Sequence, residues 1–309
     1  MSISDQFFEW ISITYSPYNF FRLWGSVALL CLLLHIAERV LPAERNQSYR
    51  SMVANGRITL VYAILSPVAL FGANYLAGHI MATAINRLSG PWFVIDLNNL
   101  TNGNSELVRI ALLAPLTFAP LLIYDFFYYW FHRLQHANSW LWEQHKLHHS
   151  DQALNVTTSY RINWLEDLFK SLLVSIPVAI VLRLQPFEVG IVVSLTGVIS
   201  HIWGQFLHSN IRLSFSFLST LLTGPQFHRI HHSIETHHQN KNFTTYFPFW
   251  DALFGTYYRP SREEYPRTGV VGELSNPNMR EILVGPLLRW GHRLTGLIAQ
   301  LARKSLTKW

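Results

Sequence analysis

Long apolar blocks alternate with polar stretches along the whole chain. The apolar runs cover about residues 21–36, 58–85, 107–131, 168–184 and 187–207, and the stretches between them are rich in Arg, Asn, Gly or Pro. A helix needs about 20 apolar residues to cross the hydrocarbon core of a bilayer. The pattern therefore predicts an all-α integral membrane protein with about four to five transmembrane helices.

Three details of the pattern refine this prediction. The second run is interrupted at Ser66-Pro67, so it forms either one tilted helix or two shorter ones. Gln185-Pro186 predicts a tight turn that joins the last two runs into a helical hairpin. A turn-rich loop is expected over residues 86–105.

The end of the chain has a different pattern. Residues 259–278 are rich in Pro, Glu and Arg and predict an exposed linker. Residues 279–304 then place apolar side chains at helical spacing, with basic residues such as Arg289 and Arg293 on the polar side. This predicts an amphipathic helix lying on the membrane surface, and a sixth span is the alternative.

Composition and charge agree with a membrane protein. Only 14 % of the 309 residues are charged, against about 25 % in soluble domains. The net charge of +6 comes from basic residues in the loop 39–57, the histidine-rich loops and the C-terminal segment. By the positive-inside rule this side faces the cytoplasm and the N-terminus lies outside, and no nucleic-acid binding is expected. The single cysteine, Cys31, excludes a disulfide framework and a thiolate metal site.

Three clusters of histidines, here called boxes, carry the candidate chemistry. They are His132 and His136; His145, His148 and His149; and His228, His231 and His232. On a helix, residues i and i+4 share a face and can bind one ion. In an H-x-x-H-H box the last two positions lie on either side of the first, at about 60° and 40°, which suits two neighbouring ions.

The number of imidazoles also favours two metal ions. One octahedral ion with an open position cannot use eight imidazoles, whereas two ions can bind about four each. Two predicted spans separate the second box from the third, so both boxes lie on the same side of the membrane.

No dinucleotide, flavin or haem signature is present, so the electrons for any redox reaction come from a separate protein.

These residues resemble the fatty acid hydroxylase/sterol desaturase superfamily, and within it the alkylglycerol monooxygenase branch. The motifs that carry the resemblance are Asp125-x-x-x-Tyr129-x-x-His132-x-x-x-His136, His145-x-x-His148-His149, Asn155…Arg161, Pro225-x-x-His228-x-x-His231-His232 and Trp250-Asp251-x-x-Phe254-Gly255-Thr256. The resemblance implies a catalytic domain over residues 110–258, after an N-terminal transmembrane region (1–109) and before a C-terminal segment (259–309). It also implies a bacterial inner membrane or endoplasmic reticulum location.

The same resemblance implies a cofactor, partners and further site residues. It implies two iron ions, for which zinc can substitute on over-expression, together with O2, a lipid substrate and an electron donor of the cytochrome b5, ferredoxin or rubredoxin type. His208 is then a ninth metal ligand, and His201 is either a further ligand or an intramembrane polar contact. His237 and His238 are expected in the loop beyond the third box, near the ligands or simply exposed.

Other polar residues are expected to support the site. Asp125, at the end of a predicted span, is expected to accept a hydrogen bond from a ligating histidine; a helix cap or an interfacial salt bridge is the alternative. Tyr129 lies on the same helix face, and Asp251 is expected to act as Asp125 does. Asn155 and Arg161 are expected to support the second box.

Three further histidines are interpreted as ordinary hydrogen-bonded residues: His35, His79 and His292.

The sequence thus favours a membrane oxygenase that hydroxylates a fatty acyl, alkyl-ether or sterol chain. Desaturation by the same site is the first alternative, since the outcome depends on where the substrate carbon is held. A metal transport or storage protein is a remote alternative, because such a protein needs ligands along its spans and the boxes lie outside them.

Overall fold

The computed structural model describes residues 3–45, 47–87, 106–182, 186–273 and 275–306. Within these ranges the regular structure is helical, apart from two isolated β-bridges, which confirms the predicted all-α class. The helices are α1 Ile3–Thr14, α2 Pro17–Val40, α3 Tyr49–Arg87, α4 Glu106–Ala137, α5 Ser139–His149, α6 (Glu166–Lys170, a π-helical turn Ser171–Ser175, and Ile176–Leu182), α7 Pro186–His208, α8 Pro225–His231, α9 Phe249–Leu253 and α10 Met279–Leu306. Short 3-10 turns cover Val156–Tyr160, Ser216–Thr220 and Thr236–His238.

Two helical segments of the described chain are long and apolar enough to cross a bilayer. They are Pro17–Val40 and Tyr49–Ala73. Large apolar side chains along α2, including Leu29, Leu32 and Leu33, are more than half exposed. An exposed apolar stripe of this kind is typical of a lipid-facing surface.

The second apolar run forms a single helix, α3, of 39 residues that continues through Pro67. It begins at Tyr49, whereas the sequence predicted a polar loop as far as Arg57. Polar side chains in this first part of α3 are buried because Ser51 and Asn55 donate hydrogen bonds to the Asp151 carboxylate. The predicted loop at 86–105 lies outside the described residues from 88 onward, and Asn86 and Arg87 belong to α3. Of the predicted turn at Gln185-Pro186, Gln185 lies outside the described residues and Pro186 is the first residue of α7.

Helices α4 and α7 bring their histidines to one end of the helix bundle. α4 packs against α5 and α7, and α7 packs against α8 and the turn Val156–Tyr160. α4 extends without interruption from the third apolar run through the first box, as predicted. The boxes therefore lie on α4, on α5 and on α8, whose packing decides their distances.

The segment 259–278, predicted as an exposed linker, is exposed at many positions but packs in part against the third box. Thr268 is buried and forms a β-bridge with Ser233, and its hydroxyl donates to the Asp151 carbonyl oxygen. The Gln226 side chain of α8 donates to the carbonyl oxygens of Ser261 and Glu264. These contacts fix part of the segment beside α8.

The C-terminal helix α10 is amphipathic, as predicted. Its polar side contacts α5, where Arg289 and Arg293 both pair with the buried carboxylate of Glu143. The Trp290 indole N–H donates to the Trp140 carbonyl oxygen at 2.8 Å. Its apolar side is exposed at Leu294, Leu297, Ile298 and Leu301.

Candidate metal centre

Nine histidines meet in two groups between α4, α5, α7 and α8. The five-histidine group consists of His132, His136, His145, His149 and His231. The four-histidine group consists of His148, His208, His228 and His232. Within each group one ring nitrogen of every residue lies within 4.8 Å of the others. All nine positions that the sequence analysis named as metal ligands are therefore brought together, including His208 at the end of α7.

Each H-x-x-H-H box is divided between the two groups. His145 and His149, four residues apart, belong to the five-histidine group, and His148 belongs to the other. The third box is divided in the opposite sense, with His228 and His232 together in the four-histidine group. This division follows from helix geometry, because the i+3 and i+4 positions lie on opposite sides of the first histidine.

The spacing of the ring nitrogens fits a shared metal ion. His149 Nε2 lies 3.1 Å from both His136 Nε2 and His145 Nε2. An imidazole nitrogen can donate or accept one hydrogen bond, so hydrogen bonding cannot explain both contacts. Nitrogen ligands lie about 2.1 Å from a metal ion, and two of them at right angles are then about 3.0 Å apart.

The four-histidine group has the same spacing. His208 Nε2 lies 3.0 Å from His148 Nε2 and 2.9 Å from His228 Nε2. His228 Nε2 lies 3.1 Å from His232 Nε2. Here too single ring nitrogens have two close nitrogen neighbours, so the residues present fit an ion in each group.

Two buried nitrogens of the five-histidine group have no hydrogen-bond partner among the described residues. These are the Nε2 atoms of His132 and His231. An unsatisfied buried polar atom costs about 1–3 kcal/mol. A metal ion shared with the other rings of the group would remove that cost.

Backbone carbonyl oxygens hold three of the rings by the opposite nitrogen, Nδ1. His132 Nδ1 lies 2.8 Å from the Phe243 carbonyl oxygen, and His231 Nδ1 lies 2.8 Å from that of Lys241. His208 Nδ1 lies 2.6 Å from the Gly204 carbonyl oxygen. Because a carbonyl only accepts, these contacts place the proton on Nδ1 and leave Nε2 free for a metal.

One histidine is held by a carboxylate that the sequence analysis did not identify. His145 Nδ1 lies 3.4 Å from Glu166 Oε2, and both side chains are buried. A signal was available, because Glu166 and Asp167 stand where an apolar run begins, and carboxylates there are costly without a partner. The 21 residues between Glu166 and His145 gave no indication that they meet.

Asp251 holds the loop that carries the Phe243 carbonyl. Its carboxylate accepts hydrogen bonds from the backbone N–H groups of Phe243 and Thr244 and from the Thr256 hydroxyl. The Thr256 hydroxyl lies 3.0 Å from that of Tyr129. Gly255, with φ +77°, ends α9 and lets the chain turn back to this position. Asp251 therefore acts on His132 through the loop and does not contact a histidine itself.

Asp125 does not accept a hydrogen bond from a histidine, so that expectation was wrong. Its carboxylate accepts three backbone N–H groups, those of Thr245, Tyr246 and Phe247. These donors belong to a loop that has no regular backbone partners, which explains why it recruits the carboxylate. The loop 243–247 is therefore held at both ends. Asp251 binds it at Phe243 and Thr244, and Asp125 binds it at residues 245–247.

The loop after the second box is fixed by a buried network. Arg161 donates from Nε to the Leu147 carbonyl oxygen near the end of α5 and from its Nη atoms to Ser150 and Asn55. Asn155 caps the following 3-10 turn by accepting the Thr157 N–H. Asp151, buried beside them, was not identified from sequence. This network fixes the end of α5, where His148 and His149 lie.

The additional histidines lie outside both groups. His201 Nδ1 lies 2.6 Å from the Tyr160 hydroxyl, and His201 Nε2 lies 3.2 Å from Gln205 Nε2. These contacts agree with the second interpretation of His201, an intramembrane polar contact. His238 is buried between Ser233 and Glu264, whereas His237 is exposed. His35 pairs with Glu38 at 3.0 Å.

Burial favours the neutral form of several of these histidines. Burial, and after it the neighbouring histidines, lower the pKa of His148, His149, His228 and His232 well below the usual value near 6.5. Burial is also the main reason that the pKa of His231 falls to about 3. Neutral imidazole is the form that binds a metal ion.

Comparison with known proteins identifies the part of the chain that carries these groups. Residues 117–256 match the family model described as fatty acid hydroxylase. This part of the chain is similar to the fatty acid hydroxylase family. The matched range contains all nine histidines of the two groups, together with Asp125 and Asp251, and it confirms the resemblance seen in the motifs.

Relatives of the fatty acid hydroxylase segment act on lipids according to their names. The ornithine lipid hydroxylase OlsE of Rhizobium tropici is 30 % identical over 173 residues, which are 56 % of this chain and 50 % of its own. The alkylglycerol monooxygenase of Homo sapiens is 28 % identical over 155 residues, 50 % of this chain and 33 % of its own. The very-long-chain aldehyde decarbonylase GL1-7 of Oryza sativa subsp. japonica is 30 % identical over 155 residues, 47 % of this chain and 23 % of its own.

The chain thus spans half or less of the length of these relatives. Alkylglycerol monooxygenases from four animals are among them, in agreement with the resemblance to that branch. No solved structure matches the chain.

Proposed function

We propose that this chain is a membrane-bound oxygenase with two metal ions that hydroxylates an alkyl chain of a lipid. The observation that carries the proposal is the division of nine buried histidines into two adjacent groups. The rings of His149 and His232, one from each group, stack with centroids 4.3 Å apart. Two ions held this close could act on one substrate molecule.

The donor set favours oxygen chemistry over hydrolysis. Hydrolytic zinc sites usually have three protein ligands and a water, whereas these groups offer five and four imidazoles and no carboxylate. Two irons, when bound, would supply the activation of O2 and the storage of electrons. The residues of the chain bind and orient: carbonyl oxygens and Glu166 hold the Nδ1 sides, and Asp251 holds the loop that carries one of those carbonyls.

The lipid substrate is inferred from the position of the groups and from the relatives. Both groups lie at the ends of α4 and α7, which continue from predicted membrane spans. Above them, Leu121 of α4 packs with Tyr246, Phe247 and Trp203 in an apolar cluster beside the loop that Asp125 holds. An alkyl chain that entered laterally from the bilayer would meet apolar side chains before it reached the histidines.

The proposal extends to orientation and to the electron donor. The boxes face the cytoplasm, because basic residues concentrate on that side. An acidic donor protein of the cytochrome b5, ferredoxin or rubredoxin type would dock on this basic face.

The test combines metal analysis with oxygen labelling. Full-length protein in membranes is supplied with 18O2, a reductant and a donor protein, and its lipids are examined by mass spectrometry. We expect two irons per chain and labelled hydroxyl in a lipid. His148→Ala should lose much of the metal and the labelling. His237→Ala, which changes an exposed histidine outside both groups, should keep both.

Each contrary outcome has a distinct meaning. A new double bond without label would indicate that the protein desaturates its lipid substrate and does not hydroxylate it. Metal that exchanges freely, with no O2 consumption, would point to transport or storage. Identical lipids from wild type and His148→Ala, across donors and candidate lipids, would remove the support for an oxygenase.

A further inference from the structure

A polar cleft of about 370 Å³ opens beside the C-terminal end of α2. Its lining includes His35, Glu38, Arg39, Glu44, Arg45 and Asn210. None of these residues belongs to the two histidine groups, and none was named as a site residue from sequence. The cleft is large enough for a small polar group such as a phosphate with its substituents.

Both carboxylates that line the cleft already have partners. The Glu38 carboxylate is fully engaged, since it pairs with His35 and accepts the backbone N–H groups of Val156 and Asn210, each at 2.7 Å. Glu44 pairs with Arg229 at 2.9 Å. The remaining charged side chains that line the cleft are Arg39 and Arg45.

Neither arginine has a carboxylate partner among the described residues. Arg39 donates from Nε to His35 Nε2 at 3.3 Å, which leaves its terminal nitrogens available. Both arginines are exposed. Glu44 is neutralised by its pairing with Arg229, whereas the Glu38 carboxylate keeps its negative charge. The carboxyl end of the helix adds about half a negative charge. The two positive charges of Arg39 and Arg45 outweigh this sum, so the cleft attracts an anion.

The cleft lies where the apolar surface of a candidate span ends. Within the part of the chain that the structure describes, α2 is one of two helices that are long and apolar enough to cross a bilayer. Its exposed Leu32, Leu33 and Ile36 lead along the helix to Val40, which lines the cleft. A site at this level coincides with the headgroup layer of the membrane.

The cleft is joined to the four-histidine group through the backbone. Residues 41–44 pair with residues 210–212: Ala43 N–H donates to the Asn210 carbonyl at 2.9 Å, and Arg212 N–H donates to that of Leu41 at 2.7 Å. His208 precedes Asn210 by two residues. A headgroup in the cleft would therefore be held close to the end of α7, where His208 lies.

We propose that this cleft binds the anionic, phosphate-bearing headgroup of a lipid through Arg39 and Arg45, and that the bound lipid is the substrate. This rests on the proposed function and narrows its substrate to a phospholipid. Neutral glycerol ethers and sterols lack the anionic group that two guanidinium groups bind well. The lipid chain would run beside α2 and α7, which pack together.

The binding test does not depend on turnover. Purified, metal-loaded full-length protein in neutral detergent is titrated with dioctanoyl phosphatidylglycerol, and thermal stabilisation is followed. Dioctanoylglycerol and inorganic phosphate are titrated in parallel. The test variant is Arg39→Gln/Arg45→Gln, and Arg22→Gln is the matched control, because Arg22 lies on the same helix near its other end.

We expect saturable stabilisation of wild type and Arg22→Gln by phosphatidylglycerol, and an affinity at least about tenfold lower in the double variant, from the loss of two charges near the headgroup layer. Equal stabilisation of all three proteins, or equal stabilisation by dioctanoylglycerol, would overturn the site. Phosphate alone binding as tightly as phosphatidylglycerol would overturn the lipid assignment.

The oxygen-labelling assay separates this proposal from the proposed function. If the double variant loses phosphatidylglycerol binding and labelling of phospholipid, while its metal content stays at the wild-type value, the cleft binds the substrate. Unchanged labelling of phospholipid in the double variant would show that the lipid bound in the cleft is not the substrate. Absence of labelling in every protein, including wild type, would overturn the oxygenase but leave the binding result standing.

Discussion

The two histidine groups differ in how firmly the protein holds their rings. In the five-histidine group, His132 and His231 contact carbonyl oxygens through Nδ1, and His145 contacts Glu166. In the four-histidine group, His208 contacts a carbonyl oxygen, whereas Nδ1 of His228 has no partner among the described residues.

The difference concerns how far each group is prepared to bind a metal ion. The five-histidine group is preorganised, because hydrogen bonds fix three of its rings. The four-histidine group has fewer histidines and fewer such bonds, so an ion bound there would contribute more to its order. Such an ion would also have fewer imidazole ligands than one in the five-histidine group.

The largest effect is expected when a ligand is removed from the less firmly held group. His228→Ala leaves three imidazoles there, whereas His132→Ala leaves four in the other group. We expect His228→Ala to retain about one metal ion per chain, with hydroxylation reduced at least about 100-fold, and His132→Ala to retain more metal. The metal content per folded chain, measured after gel filtration, checks the prediction for both variants. Equal metal losses in the two variants would contradict the proposed difference between the groups.

An intermediate effect is expected from the carboxylate behind His145. Glu166→Gln keeps the size of the side chain but removes its charge, and loss of such a partner typically weakens metal binding about 10- to 100-fold. We expect binding to weaken more in the five-histidine group than in the four-histidine group, measured by competition with a chelator. Glu273→Gln is the control, since that carboxylate pairs with Lys146 away from the rings. Equal weakening in both groups would show that Glu166 acts on the fold as a whole.

The smallest effect is expected at the contact between α10 and α5. Glu143→Gln weakens the pairing with Arg289 and Arg293, whose side chains are 28 % and 35 % exposed, so the loss in unfolding free energy is about 1 kcal/mol or less. The melting temperature should fall by about 2 °C. Because α5 carries rings of both groups, metal binding in the two groups should change equally; a selective loss in one group would mean that α10 positions particular rings.

Much of the site could be predicted because it repeats along the sequence at helical spacing. The three boxes and His208 stand out by residue type, and the angle between the i+3 and i+4 positions already indicated two ions. The extent of α4, α7 and α10 followed from apolar periodicity to within a few residues.

Residues that act through long-range hydrogen bonds could not be predicted in the same way. Asp125 was assigned to a histidine because both are rare near a membrane, yet its partners are backbone groups 120 and more positions away. Glu166 and Asp151 act through side chains that only the folded chain brings together. The start of α3 at Tyr49 depends on Asp151 as well, since Ser51 and Asn55 are buried only when that partner is present.

The divided boxes imply that two ions, one bound in each group, would influence each other's affinity. α5 supplies His145 and His149 to one group and His148 to the other, and α8 supplies His231 to one group and His228 and His232 to the other. An ion in either group restricts the motion of both helices, and the entropy lost in that step does not have to be lost again when the second ion binds. Thermodynamic reciprocity then requires each ion to strengthen the binding of the other by the same factor. Metal uptake by this protein is therefore expected to be cooperative, with few molecules that hold a single ion at partial loading.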